Sequence, residues 1–132
     1  MSQENVEVMR RFFDAFERDG LHGLLRQLHP EIEWTTTGAF IEAATYRGHE
    51  EVLGYLGSML SEFENSRVVP EEFIDAGDQA VTSWRFSGQG KQSGAAVELT
   101  LTSVSSLRDG KIVRIRNYPD KAQALAAVGL SE

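Results

Sequence analysis

The sequence predicts an α+β fold, helices first and antiparallel strands after, and three observations carry that expectation. Apolar residues recur at helical spacing as far as residue 63, and from Val69 onward the alternation has a period of two. The dipeptides Gly77-Asp78 and Asp109-Gly110 punctuate the second half as hairpin turns. Helices and strands segregated along the chain make separate layers, not the alternating units of a parallel sheet.

Val6, Met9, Phe12, Phe13 and Phe16 share one face of a helix over 4–18, with Ser2 as its N-cap and Gly20 as its end. Leu21, Leu24, Leu25 and Leu28 repeat the spacing in a shorter helix that must stop before Pro30. Residues 31–35 switch to period two, with Ile32 and Trp34 on one face of a strand and a Thr-rich turn through Gly38 behind it. Val52, Leu53, Leu56, Met59, Leu60 and Phe63 then form the stripe of a third helix over 49–63. Strands are expected at 69–76, 79–88, 96–107 and 110–118, with a glycine-rich loop over 87–95. Asp120 and Gln123 cap a last helix, carrying Leu125 and Val128, that stops at Gly129. The order is ααβαββββα in one domain, 1–132, without linker or repeat. A sheet curled around three helices encloses a conical hollow, and its open end is the natural place for a ligand.

The chain has 132 residues, 20 acidic and 13 basic side chains, a net charge of −7 and no cysteine. Leu, Ile, Val and Phe make up about a quarter of it, enough for a real core. The acidic balance argues against nucleic acid or an anionic membrane as a partner. Zero cysteine removes disulfides and thiolate chemistry, and fits a cytoplasmic location. The N-terminus lacks the charged-then-apolar order of a signal peptide, and no apolar run approaches the roughly 20 residues of a membrane span. The three histidines form no HExxH or His-x-His pattern, so neither a metal nor another cofactor is expected.

Four stretches carry a resemblance: Leu28-His-Pro-Glu-Ile-Glu-Trp34, Tyr46-Arg-Gly-His-Glu50, Ile74-Asp-Ala-Gly-Asp78, and Leu107-Arg-Asp-Gly-Lys-Ile-Val-Arg-Ile-Arg116 with the tail Ala124-Leu-Ala-Ala-Val-Gly-Leu130. In this order they resemble the SnoaL-like branch of the NTF2-like superfamily, which also holds ketosteroid isomerase and scytalone dehydratase. The resemblance implies the NTF2-like (cystatin-like) cone: three N-terminal helices on a curved antiparallel sheet, and a short C-terminal helix. It also implies a homodimer through the outer face of the sheet. The fold hosts isomerases, dehydratases, cyclases and non-catalytic modules, so it does not by itself give a function.

Catalysis in such relatives is mostly proton transfer next to a carbonyl, by a carboxylate or His in a dry pocket. By strand parity Val113, Ile115 and Asn117 face inward, opposite Ile112, Arg114, Arg116 and Tyr118. The resemblance places the acid/base Asp of SnoaL-type cyclases where Asn117 stands, and an amide hydrogen-bonds but does not exchange a proton near neutral pH. Leu99, Leu101, Ser103, Ser105 and Leu107 form the inward face of the preceding strand, so Ser103 and Ser105 border the hollow or serve only the structure. Phe12 stands where the resemblance expects the oxyanion Tyr of the isomerase, and no carboxylate follows the first strand in Trp34-Thr-Thr-Thr37. The remaining titratable candidates are Glu33, which parity turns outward, Glu42 in the segment 38–45, and His29 at the end of the second helix. Trp34, Tyr46, Phe63 and Trp84 are the aromatic candidates for walls of a pocket. Three readings stay open: a pocket protein for a small hydrophobic, ring-containing molecule without the acid/base residues of its relatives; an isomerase, dehydratase or cyclase using Glu33, Glu42 or His29; and a dimeric interaction module whose cone is filled by its own side chains.

Overall fold

A computed structural model describes residues 2–36 and 44–130 of the chain. The helices are α1 (Ser2–Asp19), α2 (Leu21–Leu24), α3 (Gly48–Leu60) and α4 (Lys121–Ala127); the strands are β1 (Leu28–Thr35), β2 (Thr45–Arg47), β3 (Phe63–Ala76), β4 (Gln79–Gly90), β5 (Ala96–Arg108) and β6 (Lys111–Tyr118). The six strands form one sheet in the order β2-β1-β6-β5-β4-β3. Neighbours are antiparallel except β1 and β6, which run parallel. No helix among the described residues is long and apolar enough to cross a membrane.

The amphipathic stripe of α1 buries Met9, Phe12 and Phe13 against the inner face of the sheet, where they meet Ile32, Trp34, Val52, Leu56 and Ile115. Burial of apolar area on this scale is the main favourable term of folding. Asn5 Nδ2 donates to the Gly77 carbonyl at 2.8 Å and ties the start of α1 to the β3–β4 turn. Both turn dipeptides behave as their composition demands: Gly77 has φ 81°, and Asp109 and Gly110 have φ 55° and 76°.

Several boundaries differ from the sequence expectation, each for a local reason. Ser2 is already helical, so it does not cap α1. Helix α2 is a single turn: the chain turns at 25–27, Ile112 N–H donates to the Gln27 carbonyl at 2.8 Å, and Leu28 becomes the first, fully buried residue of β1. His29 therefore lies on a strand, not at a helix end. Pro30 is tolerated in β1 because the β1–β6 register skips between Leu28 and Glu33, where no ladder hydrogen bond is asked of it. The short strand β2, unforeseen, pairs Thr45, Tyr46 and Arg47 with Thr35, Trp34 and Glu33. Helix α3 ends at Leu60, and Phe63 opens β3 with its ring edge-on to Phe86, 5.0 Å between centroids. The expected loop over 87–95 shrinks to 91–95, because Gly88 and Gln89 still pair with Val97 and Ala96.

Helix α4 follows its sequence signals closely. Asp120 caps it by accepting the Gln123 N–H at 2.8 Å. Gly129, at φ 79°, closes it with Gly129 N–H to the Ala126 carbonyl at 3.1 Å and Leu130 N–H to the Leu125 carbonyl at 2.9 Å. The helix lies on the outer face of the sheet, where Ala124 and Leu125 form a second core with Val81 and Val104.

Two glycines give opposite predictions. A Cβ on Gly23 would stand 2.4 Å from the Ala15 carbonyl oxygen, where α2 crosses α1 backbone to backbone. Gly23→Ala is expected to destabilise the fold by about 1–3 kcal/mol through overpacking. Gly54, exposed within α3, has open space at its Cβ, so Gly54→Ala should stabilise by about 0.5–1 kcal/mol. Urea unfolding of the two variants checks both signs.

Candidate functional site

The inner face encloses a cavity of about 90 Å³. Helix α1 supplies Met9, Phe12, Phe13 and Phe16 to its wall, and α3 supplies Tyr55, Leu56 and Met59. The sheet contributes Trp34 from β1, with Thr36 just past its end, Trp84 from β4, Leu101 and Ser103 from β5, and Ile115 and Asn117 from β6. The rings pack on one another: Phe12 lies 6.3 Å from Trp34 and Phe13 lies 6.4 Å from Trp84, centroid to centroid.

A bulge decides which side chains of β6 enter this wall. Leu107 pairs with Ile112 but the next residue back, Ser106, pairs with Arg114, so Val113 is the extra residue. Parity resets across it. Ile112, expected outward, is fully buried in the inner core, whereas Ile115 and Asn117 point inward as expected and Val113 is only half-buried. The parallel register Trp34↔Ile115 sets β1 alongside, so Trp34 and Thr36 share the inner face with Ile115 and Asn117.

The polar corner of the cavity is a directed chain of hydrogen bonds. Trp84 Nε1 donates to Ser103 Oγ at 2.8 Å, and Ser103 Oγ donates to Asn117 Oδ1 at 2.5 Å. Ser103 and Asn117 are register partners on β5 and β6. Thr36 Oγ1 accepts the Ala44 N–H at 3.0 Å and is thereby engaged. The indole nitrogen of Trp34 is buried without a hydrogen-bond partner among the described residues, as are the hydroxyls of Thr82 and Ser105.

Four of the sequence candidates, Trp34, Trp84, Ser103 and Asn117, thus come together on one cavity. Ser105 faces inward but is wholly buried and lies outside the lining. Tyr46 and Phe63 are directed elsewhere: with Tyr55, Ser58, Met59 and Glu62 they line a shallower groove of about 580 Å³. Tyr46 stacks on Tyr55 there, 4.4 Å between centroids. Glu33 turns outward and lies 4.0 Å from both Arg47 and Arg114. His29 Nδ1 accepts the Glu31 N–H at 3.0 Å, and Arg108 approaches its other nitrogen at 3.4 Å, away from the cavity. His49 Nε2 lies 2.9 Å from the Leu28 carbonyl; a carbonyl only accepts, so this nitrogen carries the proton. Glu42 lies outside the described residues. Among the described residues no carboxylate and no imidazole lines the cavity, and no cluster of His, Asp and Glu is arranged to hold a metal.

Sequence reasoning missed Tyr55, which borders both the cavity and the groove. Its spacing was a usable signal, three residues after Val52 and four before Met59. Burial, and secondarily the neighbouring Tyr46, pushes its phenol above the ordinary tyrosine range. The hydroxyl donates to Met59 Sδ, at 3.5 Å, a weak acceptor. Because the folded state holds this proton more tightly than the unfolded chain, its contribution to stability is complete below pH 10 and is lost as the pH rises through the folded value. Tyr55→Phe is expected to flatten the loss of stability above pH 10, measured by urea unfolding across pH 8–11.

The SnoaL-like domain family matches residues 9–115. An NTF2-like protein of Burkholderia xenovorans is 30% identical, with 97% of each chain covered and a TM-score of 0.74. A SnoaL-like polyketide cyclase candidate of Jannaschia sp. is 19% identical, covering 99% of this chain and 95% of its own, with a TM-score of 0.77. A protein of ketosteroid isomerase-like fold from Catenulispora acidiphila, in complex with trimethylamine, is 19% identical over 94% of this chain and 93% of its own, with a TM-score of 0.74. No curated protein matches the sequence. The curved six-stranded sheet, the helices on its inner face and the match over 9–115 agree, and the chain belongs to the SnoaL-like family of NTF2-like proteins.

Proposed function

We propose that the chain holds a small, uncharged, hydrophobic molecule in the inner cavity and binds it without acid/base chemistry. One observation carries this reading: among the described residues the wall is mainly apolar, its polar side chains are the uncharged Trp34, Thr36, Tyr55, Trp84, Ser103 and Asn117, and none of them can exchange a proton near neutral pH. The amide at position 117 replaces the Asp of SnoaL-type cyclases, and Tyr55 stays protonated well above neutrality. The fold neighbour from Catenulispora is in complex with trimethylamine, a molecule on the scale of such a hollow. An apolar cavity of ~150 Å³ admits benzene in other proteins, so a ring enters here with movement of the flexible Met9 or Met59 side chain. A homodimer through the outer face of the sheet remains part of the proposal. Helix α4 covers Val81 and Val104, so the partner meets the more polar remainder around Arg85, Thr100 and Arg114.

The reading is tested by titrating the protein with small hydrophobic ketones and alcohols, followed by thermal shift and crystal soaking. Asn117→Leu is expected to leave folding nearly intact and to weaken binding by about tenfold or more, the worth of one buried hydrogen bond left unmade. Severe unfolding with unchanged binding overturns the assignment of Asn117 to the ligand. Turnover of a carbonyl substrate by the native chain, with a rate that titrates between pH 5 and 8, overturns the binder reading in favour of an enzyme.

A further inference from the structure

We propose that Trp84 sets the polarity of the ligand, acting through Ser103 on Asn117, so that the cavity selects a molecule with a hydrogen-bond acceptor and no donor at its polar end, such as a ketone or an ether. The inference rests on the cavity being the ligand site and goes on to say what its polar corner reads.

An indole N–H donates and never accepts. Its bond to Ser103 Oγ, 2.8 Å long, therefore claims a lone pair of that oxygen. The serine hydroxyl has one proton, and the geometry spends it on Asn117 Oδ1. The amide oxygen of Asn117 is thus the end held by the protein, and the amino group is the end left for the cavity that the residue lines. No hydrogen bond from this amino group to another described residue accompanies the one made by Oδ1. Orientation of an asparagine amide is decided by such networks: the indole, two links up the hydrogen-bond chain, occupies one lone pair of Ser103 Oγ, and a contact of 2.5 Å falls in the range of an O–H···O bond and below that of N–H···O, which puts the amide oxygen on the serine. Trp34, another lining residue, has its indole N–H covered and without an acceptor among the described residues. Thr36 Oγ1, the hydroxyl just past the end of β1, already serves the Ala44 backbone.

An amide N–H that faces an apolar wall without an acceptor is costly, and a ligand oxygen at this corner supplies that acceptor. A carbonyl or ether oxygen does so without adding a proton of its own. A hydroxyl placed there accepts from the amide but leaves its own hydrogen facing donors. The discrimination is a property of the hydrogen-bond direction that starts at Trp84 and ends at the Asn117 amide.

Cyclopentanone, cyclopentanol and cyclopentane form a test set of one shape, with affinities measured by calorimetry or by NMR titration. For the native protein the ketone is expected to bind about tenfold tighter than the alcohol, the penalty of a buried unsatisfied hydroxyl. In Trp84→Phe, Ser103 is released to accept from the amide, Asn117 can turn its oxygen inward, and the ratio is expected to fall toward one. Equal binding of ketone and alcohol by the native protein, or an unchanged ratio in a folded Trp84→Phe, overturns the proposal. Should that variant not fold, the native protein still decides: the Asn117 side-chain amide ¹⁵N and ¹H resonances must shift with cyclopentanone and not with cyclopentane. Binding of cyclopentane with no preference for the ketone overturns the polarity alone, whereas binding of none of the three overturns the cavity reading with it.

Discussion

The parallel pairing of β1 with β6 is the constraint on which the rest of the molecule depends. It joins the first long strand to the last across most of the chain and puts Trp34 beside Ile115 in the middle of the sheet. Without it β1 and β2 would have no place in the sheet, and the hollow under α1 and α3 would lose one wall. Such a pairing carries a large loop-closure cost, which only the burial it permits can offset. The buried residues Leu28, Ile32, Trp34, Ile112 and Ile115 supply that burial within one cluster. Both strands carry an irregularity where they meet, the skipped register around Pro30 and the extra residue Val113, so neither has a uniform alternation of faces.

The inner face of the sheet is buried and the outer face only in part, by different partners. Inside, α1 and α3 close a large aromatic and aliphatic core; outside, the seven residues of α4 cover Val81 and Val104. The remaining outer face is dressed with ion pairs such as Glu33 with Arg47 and Arg114, and Arg85 with Glu71. Exposed pairs of this kind add little stability, and their effect is to keep that face polar. Of the titratable side chains singled out in the sequence, the two that the structure describes, Glu33 and His29, belong to this outer and rim region. Their absence from the cavity follows from strand parity and from the hydrogen bonds they make there.

The cavity is thereby an apolar space with one polar corner. Its chemistry rests on direction: a donor-only indole, a hydroxyl with one proton and an amide with two different ends. In a low-dielectric wall such a chain is worth more than in water and leaves fewer alternatives. Tyr55 borders both this space and the outer groove, and burial there holds its proton.

Most of the architecture was legible in the residues themselves. The α1 stripe, the hairpin at Asp109-Gly110, the cap at Asp120 and the stop at Gly129 are local physics, and the structure keeps each of them. The inward side of β5 was legible for the same reason, since an uninterrupted strand preserves parity over its length; Ser103 and Leu101 line the cavity accordingly. Tertiary contacts decided the rest. Leu28 has helical spacing with Leu21 and Leu24, yet pairing with β6 draws it into a strand; Phe63 continues the α3 stripe, yet its pairing with Gly90 opens β3. Tyr46 and Phe63 are as aromatic as Trp34 and Trp84, and only the packing of α3 between them sends one pair to the groove and the other to the cavity. Residue type and spacing thus determined which elements form and which faces are apolar, because those depend on neighbours a few positions away. The bulge at Val113, the parallel pairing and the direction of the Trp84-Ser103-Asn117 chain belong to the tertiary structure alone, because each is settled by groups brought together from distant parts of the chain.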